Sequence, residues 1–471
     1  MTMGFIHFTG SYTDQYELAM AEVYFKCGRK EETAVFDYFF RKLPLGSGFV
    51  LFSGLHDLLE ILEHLCFSQQ DLNYLAELNF DSSFLNYLSN FSFSGDIHAC
   101  AEGEIVFPGL PILRVEGNLI ELQIIETLLL NILNYQSLIA TKAARLHYAA
   151  KDRKLVEFGL RRAPGAGGYS ATRAALIGGC DGTSHVKAAA DLGLHATGTM
   201  AHSFIQSEKD ELTAFRNFAR CRPEDCVLLI DTYSTLKSGL PNAIKVALEM
   251  KESGQQLKGI RLDSGPLGKL SRECRQKLDE AGLHEVKIVA SNQIDELIIE
   301  ALLQEGAPID IFGVGSKLVT GYPDGSLDGV YKLCEIDGLA RIKISEDKHK
   351  INLPHRKQIL RLIDERGNFI GMDLIALADE EITDSFCFSL DSFVPVEISQ
   401  FKRERLQHLQ MEKGKRVNPV PSIAEIKLYV QQRLAKLPEE FRLLKDAKIY
   451  QIGLSSNLKK ALDEQIRLHE E

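Results

Sequence analysis

Apolar residues recur at helical spacing in several parts of the chain. Leucines at 55, 58, 59, 62 and 65 lie on one side of a helix, so residues 55–65 are predicted to form a helix with one buried face. The most apolar long stretch, Leu119 to Ala144, is interrupted by two glutamates and two asparagines, which are costly in lipid. It therefore predicts a buried helix near 119–150 and no membrane span. A further helix is predicted over 423–434.

The middle of the chain, 151–335, alternates short β-prone runs with segments of helical length. The runs begin at Leu155, Leu194, Val227, Gly259, Val286 and Ile309. Repeated strand and helix units predict a parallel β/α architecture. The flanking zones, 1–150 and 336–471, have no such rhythm, and their mixed patterns predict an α/β layer before the repeat and charged β-like pieces with a helical tail after it.

Charge and cysteine usage exclude several classes of protein. The net charge of −11 does not favour binding to nucleic acid or to an anionic membrane. The nine cysteines are scattered without a CxxC pair, which indicates reduced thiols and a cytoplasmic protein. Cys221 and Cys226 have no His or Cys cluster beside them in sequence, so we expect no zinc. Asp14, Glu17 and Glu22 interrupt the region where an export signal needs an apolar core.

Chemically capable residues collect directly after the apolar runs of the middle zone. The segments are Phe158 to Arg162, Gly198 to Ser203, Asp231 to Tyr233, Arg261 to Gly265, Ser291 to Asn292 and Gly313 to Ser316. These positions are the expected carboxyl ends of parallel strands, and β/α barrels place their catalytic groups at that face. The sequence therefore predicts an active site there.

Several of these segments also have an ordinary structural interpretation. The turn Gly313 to Ser316 is either a simple turn or a phosphate cradle made of amide groups and a hydroxyl. Arg161 and Arg162 are either a solvated pair or a clamp for phosphate or carboxylate oxygens. Arg261 and Asp263, two residues apart on one strand face, are either a structural ion pair or an anion site beside a group that holds a sugar hydroxyl or Mg²⁺.

Two aromatic residues complete the candidates. His202 has Thr199 and Ser203 close in sequence, so it lies among hydroxyls, although a lone histidine is more often structural than catalytic. Tyr16, in the segment Thr13-Asp14-Gln15-Tyr16, has only a structural interpretation from the residues themselves.

Taken together, the motifs resemble those of the nicotinate phosphoribosyltransferase family, over essentially the whole chain. They are Thr13 to Tyr16, Ala101 to Gly103, Glu126 to Ala144, Phe158 to Arg162, Gly198 to Ser203, Arg261 to Gly265 and Phe312 to Ser316. The resemblance implies an irregular β/α barrel of type II phosphoribosyltransferases, joined to an α/β domain built from both chain ends. It also implies homodimers with shared active sites.

The resemblance assigns one group of residues to the pyridine substrate. Phe158 and Tyr16 are similar to the two aromatic residues that sandwich the ring, with Tyr16 coming from the partner subunit. Arg261 resembles the arginine that binds the nicotinate carboxylate, and Thr199 the neighbouring hydroxyl donor. Ser184 replaces the aspartate of the related nicotinamide enzymes; because a carboxylate there would repel nicotinate, the serine favours the acid over the amide.

A second group is assigned to the phosphoribosyl substrate. Arg161 is expected to engage its phosphates, while Gly313, Gly315 and Ser316 are expected to cradle the 5-phosphate. Asp263 is expected to act in catalysis by holding ribose hydroxyls and, as a metal ligand, the Mg²⁺ network.

The family's ATP dependence falls on His202, which matches the histidine that members phosphorylate with ATP. The implied activity is a ligase-type transfer that forms nicotinate mononucleotide and pyrophosphate from nicotinate and 5-phosphoribosyl 1-pyrophosphate in NAD salvage, with ATP as co-substrate and Mg²⁺ as cofactor. Displacement through an oxocarbenium-like state needs positioning and electrostatic stabilisation more than a strong base.

Three positions depart from the family pattern. Pro266 stands where an acidic residue is frequent and would remove a carboxylate from the Mg²⁺ network, and Ser316 keeps the hydroxyl of the usual threonine. His355 follows Pro354 where a glycine is frequent. Two alternatives stay open: the same chemistry on nicotinamide or quinolinate, and, because of Pro266, a relative that binds ligand without turnover.

Overall fold

The chain divides into two compact units. The computed structural model describes residues 2–3, 6–344 and 352–470. One unit combines Met1–Thr141 with Asp324–Glu471, and the other is Lys142–Pro323. The first unit is thus assembled from segments that are far apart in sequence.

The Lys142–Pro323 unit contains a sheet of parallel strands. In spatial order they are Val227–Leu229, Gly259–Leu262, Lys287–Ser291, Ile311–Val314, Lys154–Glu157 and Gly182–Thr183. Each strand is followed by at least one helix; these helices are Gly167–Ile177, Val186–Asp191, His202–Ser207, Glu211–Cys221, Leu240–Glu252, Leu267–Glu280, Glu296–Gln304 and Ser316–Val319. Leu228, Ile260 and Ile288 are register neighbours on three adjacent strands and are inaccessible to solvent, so they form one layer of the core.

The strand predicted to begin at Leu194 is wrong. Residues 194–201 form neither strand nor helix, and 193–198 are exposed. Because this segment has few bulky apolar side chains to bury, it gains little from joining the sheet. The partner of Lys154–Glu157 is instead the short strand Gly182–Thr183, and the Thr197 N–H donates a single hydrogen bond of 2.8 Å to the Thr183 carbonyl.

The other unit is built on two larger sheets. The first is antiparallel, in the order Leu339–Ala340, Gly329–Ile336, Thr33–Phe40, Leu113–Asn118, Asp96–Cys100, Gln407–Glu412 and Lys415–Arg416. The second has the order Pro395–Glu397, Phe386–Ser389, Gln451–Leu454, Phe369–Leu377, Lys357–Ile363 and Lys402–Arg405. Two short hairpin-like pairs are Thr2–Met3 with Ile6–His7 and Val50–Leu51 with Ile105–Val106.

Helices accompany these sheets, and their bounds follow the apolar pattern. They are Gln15–Lys26, Leu55–Leu62, Gln69–Glu77, Ser82–Leu88, Leu119–Ile124, Ile423–Lys436 and Ser456–Glu470, with Glu126–Ala150 running across the boundary of the two units in sequence. The apolar stretch near 119–150 thus forms two consecutive helices. Within the described chain, none of the helices has the length and apolar character needed to cross a bilayer.

A buried charge network links the segments of this unit. The Arg361 guanidinium, fully inaccessible, lies 2.6 Å from a Glu104 oxygen and 2.9 Å from an Asp373 oxygen, and Arg433 also pairs with Glu104. Burial alone would raise the pKa of Glu104, but Arg361 and Arg433 hold that pKa below its ordinary value. Because breaking such a pair leaves an uncompensated buried charge, removal of one partner costs about 3–5 kcal/mol.

The departure at His355 has a backbone consequence. His355 adopts a φ of 60°, in the left-handed region where glycine has no steric penalty. Its Nδ1 lies 3.0 Å from a Glu335 carboxylate oxygen.

Candidate active site

Arg261 lies at the carboxyl end of the Gly259–Leu262 strand and is held by three side chains. Its Nε donates to Ser291 Oγ at 2.9 Å, one terminal nitrogen donates to Thr199 Oγ1 at 3.0 Å, and the other to Asp263 Oδ1 at 2.7 Å. Arg261 and Asp263 therefore form the ion pair that was one of the two interpretations of their spacing. The pair also presents a planar guanidinium, fixed in orientation, at the carboxyl end of the parallel sheet.

Phe158 adjoins this guanidinium. The Arg261 Cζ lies 5.5 Å from the centre of the Phe158 ring, within the range of a cation–π interaction. The Phe158 N–H donates to the Val314 carbonyl at 2.7 Å, which ties the residue to the neighbouring strand. A Cβ added at Gly313 would lie 2.6 Å from the ring, so only glycine leaves room for Phe158 there.

His202 begins the His202–Ser207 helix and faces Asp263. Its Nδ1 is 3.0 Å from Thr232 Oγ1, and its Nε2 is 3.9 Å from Asp263 Oδ2. The side chain is 40% exposed, so a substrate can reach the ring. When Nδ1–H donates to Thr232, the Nε2 lone pair is available as a nucleophile.

Asp231 is a second carboxylate beside Asp263. Its Oδ2 accepts the Asp263 backbone N–H at 3.1 Å and the Ser264 hydroxyl at 2.5 Å. Its Oδ1 is buried and, among the described residues, accepts no hydrogen bond. A buried carboxylate oxygen without a donor has unused capacity for a cation or a hydroxyl.

The remaining predicted residues of this unit lie on turns around the same strand ends. Arg161 is exposed on the 3₁₀ turn Leu160–Arg162, as expected for a solvated side chain or a ligand clamp. Ser184 directly follows the Gly182–Thr183 strand, and its N–H donates to the Glu157 carbonyl at 3.0 Å. Gly315 and Ser316 follow the Ile311–Val314 strand at the start of the one-turn helix Ser316–Val319.

Tyr16 belongs to the other unit, so its predicted role depends on a different part of the molecule. It lies in the Gln15–Lys26 helix and is 50% exposed. Partial burial, and then the charges of Glu126 and Glu17, raise its pKa. Lys332 also lies near Glu126; burial lowers the pKa of Lys332, and Glu126 offsets part of that effect.

Three contacts of the site were missed from the sequence. Thr232 and Ser291 stand in segments that the strand-end rule had selected, but nothing in their spacing indicated that they contact His202 and Arg261. Asp231 had likewise been selected without a role. The signal that was available is positional: Asp231 and Thr232 closely follow the strand Val227–Leu229, and Ser291 ends the strand Lys287–Ser291.

The fold and the comparisons together define a class of protein, a β/α-barrel enzyme, and at the ends of its parallel strands lie an aromatic ring, a fixed arginine and an exposed histidine. Family models agree: the nicotinate phosphoribosyltransferase N-terminal domain matches residues 12–134, the nicotinate phosphoribosyltransferase family model 153–365, and its C-terminal domain 356–462. The nicotinate phosphoribosyltransferase of Bacillus subtilis is 43% identical over 459 residues, covering 95% of this chain and 93% of the relative. The chain belongs to the nicotinate phosphoribosyltransferase family.

Solved structures give the same result. The crystal structure of human nicotinic acid phosphoribosyltransferase matches with a TM-score of 0.85 at 32% identity, over 96% of this chain and 99% of the human chain. A nicotinate-nucleotide pyrophosphorylase from Pyrococcus furiosus matches with a TM-score of 0.72 at 26% identity, over 91% and 95% of the two chains. The predicted type II phosphoribosyltransferase fold, an irregular barrel with an α/β domain built from both chain ends, and the predicted enzyme class are confirmed.

Proposed function

We propose that the protein forms nicotinate mononucleotide and pyrophosphate from nicotinate and 5-phosphoribosyl 1-pyrophosphate, as the names of its relatives imply. The observation that carries the proposal is the Arg261 guanidinium beside the Phe158 ring. A flat pyridine ring stacks on an aromatic face, and a guanidinium binds a carboxylate through paired N–H groups. Nicotinate carries both features in one small molecule.

Charge at the pocket favours the acid over the amide. Arg261 supplies a positive charge, and Ser184 supplies a hydroxyl where an aspartate would repel a carboxylate. Thr199, which accepts one Arg261 N–H, is held close enough to assist in the same recognition. Nicotinamide, lacking the charge, should bind more weakly.

The transfer itself needs little acid–base chemistry from the protein. The pyridine nitrogen forms a bond to the anomeric carbon while the bond to pyrophosphate breaks, so positive charge develops on the ribose. We assign the ribose hydroxyls to Asp263 and the 5-phosphate to Gly313, Gly315 and Ser316. Exposed Arg161 would bind the phosphates.

The carboxylates of Asp231 and Asp263 fit a magnesium ion. Mg²⁺ is usually held by one or two carboxylates together with substrate phosphates and water, and Asp231 Oδ1 is a buried oxygen without a donor. Among the described residues no group of three His, Cys, Asp or Glu side chains forms a metal cage, so substrate phosphates and water would complete the coordination. The bound ion would neutralise pyrophosphate charge. Pro266 lies outside this donor set.

We assign ATP coupling to His202. The Nε2 lone pair would attack the terminal phosphorus of ATP, forming a phosphorus–nitrogen bond as the bond to ADP breaks. Thr232 supports this by holding Nδ1, which orients Nε2 toward Asp263. Hydrolysis of the phosphohistidine would then drive nucleotide formation, which makes the reaction ligase-type.

We further propose a cytoplasmic homodimer with shared sites. Tyr16 is half exposed in a unit separate from the barrel residues, so a partner subunit has access to its ring. All nine cysteines are free, which fits a reducing compartment. A Tyr16→Ala chain mixed with a His202→Ala chain should recover part of the ATP-stimulated activity; mixed dimers that form without recovering it would exclude shared sites.

The decisive experiment measures nicotinate mononucleotide with Mg²⁺, with and without ATP, for the wild type and His202→Ala. We expect product that rises with ATP and loses that rise in the variant. Nicotinamide and quinolinate in parallel assays test the pyridine substrate. A folded protein that binds nicotinate and gives no product would support the non-catalytic alternative.

A further inference from the structure

Glu157 is a fully buried carboxylate immediately before Phe158, and it is not accounted for by the chemistry above. It ends the Lys154–Glu157 strand and is inaccessible to solvent. The donors that the structure shows for its side chain are one backbone N–H and two threonine hydroxyls. Burial of a carboxylate is costly unless such hydrogen bonds compensate it, so the elements that supply the donors indicate the role of Glu157.

Those donors come from the elements that carry the pocket. Oε1 accepts the Gly159 N–H, immediately after Phe158. Oε2 accepts the Thr183 hydroxyl at 2.6 Å, immediately before Ser184, and the Thr172 hydroxyl at 3.0 Å from the Gly167–Ile177 helix. One carboxylate therefore holds the turn after the ring and the edge that carries the specificity hydroxyl.

The backbone of the same residue strengthens the link. The Glu157 carbonyl accepts the Ser184 N–H at 3.0 Å. The Gly159 turn packs closely against Val319, because a Cβ added at Gly159 would lie 2.2 Å from a Val319 methyl group. Side chain and backbone thus act together to set the separation between Phe158 and Ser184.

We infer that Glu157 is a positioning residue that fixes the ring-stacking face and the Ser184 edge at the spacing nicotinate requires, without touching substrate. The inference rests on the proposed function. It separates Glu157 from the residues assigned to ATP, because its described contacts do not include Thr232 or His202.

Glu157→Ala tests this directly. The Gly159 N–H and Thr183 hydroxyl lose their acceptor, whereas the Thr172 hydroxyl keeps the Gly168 carbonyl at 3.0 Å. Because small displacements of positioning groups cost up to about 100-fold, we expect the KM for nicotinate to rise at least about tenfold. The stimulation by ATP should stay within about twofold.

Glu157→Gln is the conservative rescue. The amide oxygen can still accept the Gly159 N–H, and the NH₂ group can donate to both threonine hydroxyls, so we expect the nicotinate KM to return to within about threefold of wild type. Glu211→Ala is the matched control. Glu211 is also a buried carboxylate of this unit, and its Oε2 accepts a hydrogen bond of 2.9 Å from the Asn242 amide. The Glu211→Ala variant should have a lower Tm and an unchanged KM for nicotinate.

The outcomes are separable from those of the proposed function. Turnover by the wild-type enzyme tests the proposed function. Calorimetry measures the affinity of each variant for nicotinate, and it does so even if the enzyme gives no product. A folded Glu157→Ala with unchanged nicotinate affinity, or a Glu157→Gln shifted as far as the alanine variant, would overturn the inference. If Glu157→Ala does not fold, Thr183→Val decides: we expect a weaker loss of the same kind, and an unchanged affinity overturns the positioning role.

Discussion

Replacing Arg261 with lysine keeps the positive charge and removes the planar fork. The guanidinium reaches Ser291, Thr199 and Asp263 at 2.7–3.0 Å at once, which a single ammonium on a flexible stem cannot do. A hydrogen bond to a charged group contributes about 1.5–3 kcal/mol. Loss of one such bond to the nicotinate carboxylate corresponds to about a 10- to 150-fold fall in kcat/KM for nicotinate.

The assay follows initial rates against nicotinate at saturating phosphoribosyl pyrophosphate and ATP. The matched control is Arg216→Lys, which alters an exposed arginine that pairs with Glu249 through two hydrogen bonds on the outer helices. Exposed pairs contribute little, so that variant should behave as wild type. An Arg261→Lys enzyme within about threefold of wild type would refute a bidentate role for this guanidinium.

Three further predictions use other parts of the chain. Asp231→Asn should raise the Mg²⁺ concentration for half-maximal rate about tenfold, measured by metal titration; an unchanged titration argues against Asp231 as a ligand. Gly313→Ala places a methyl group against Phe158 and should cost about 1–3 kcal/mol of overpacking, seen as a lower Tm and a higher nicotinate KM; unaltered values contradict the contact. Burial raises the pKa of Glu17 above its ordinary value of 4.5. Below pH 4.5 the carboxyl is protonated in both the folded and the unfolded state and does not lower the free energy of unfolding. As pH rises through the raised pKa, the folded state must bury a charge and the free energy of unfolding falls. Glu17→Gln should therefore raise the free energy of unfolding at pH 7 more than at pH 4, measured by urea denaturation at both values.

Local signals were sufficient for elements whose ends are marked in the sequence. Residues 423–434 were predicted as a helix, and the helix is Ile423–Lys436, which begins with a capping box between Ser422 and Glu425. The strand-end rule selected Phe158 and Arg261 because parallel strands present their carboxyl ends on one face. The helix prediction rests on interactions between residues close in the chain, and the strand-end prediction rests on a rule of topology.

Contacts between distant residues were beyond such signals. The His202–Thr232 contact spans 30 positions and the Arg361–Glu104 pair spans 257, and no periodicity encodes either partner. Glu157 looks like an ordinary surface acid in sequence, since charged residues are rarely buried. The error at Leu194 has a related cause: β-prone residues form a strand only when the sheet can bury them, and this segment stays exposed.

The interleaving of distant segments in the Met1–Thr141 and Asp324–Glu471 unit bears on the order of folding during synthesis. Thr33–Phe40 pairs with Gly329–Ile336, and Thr33 bonds to Asp337, 304 positions later. At ribosomal rates this partner emerges about 15 to 60 s after the first strand. All strands of Lys142–Pro323 are translated within that interval. The barrel should therefore fold first, while the nascent amino-terminal strands wait with unpaired edges and depend on chaperones to keep them from aggregating.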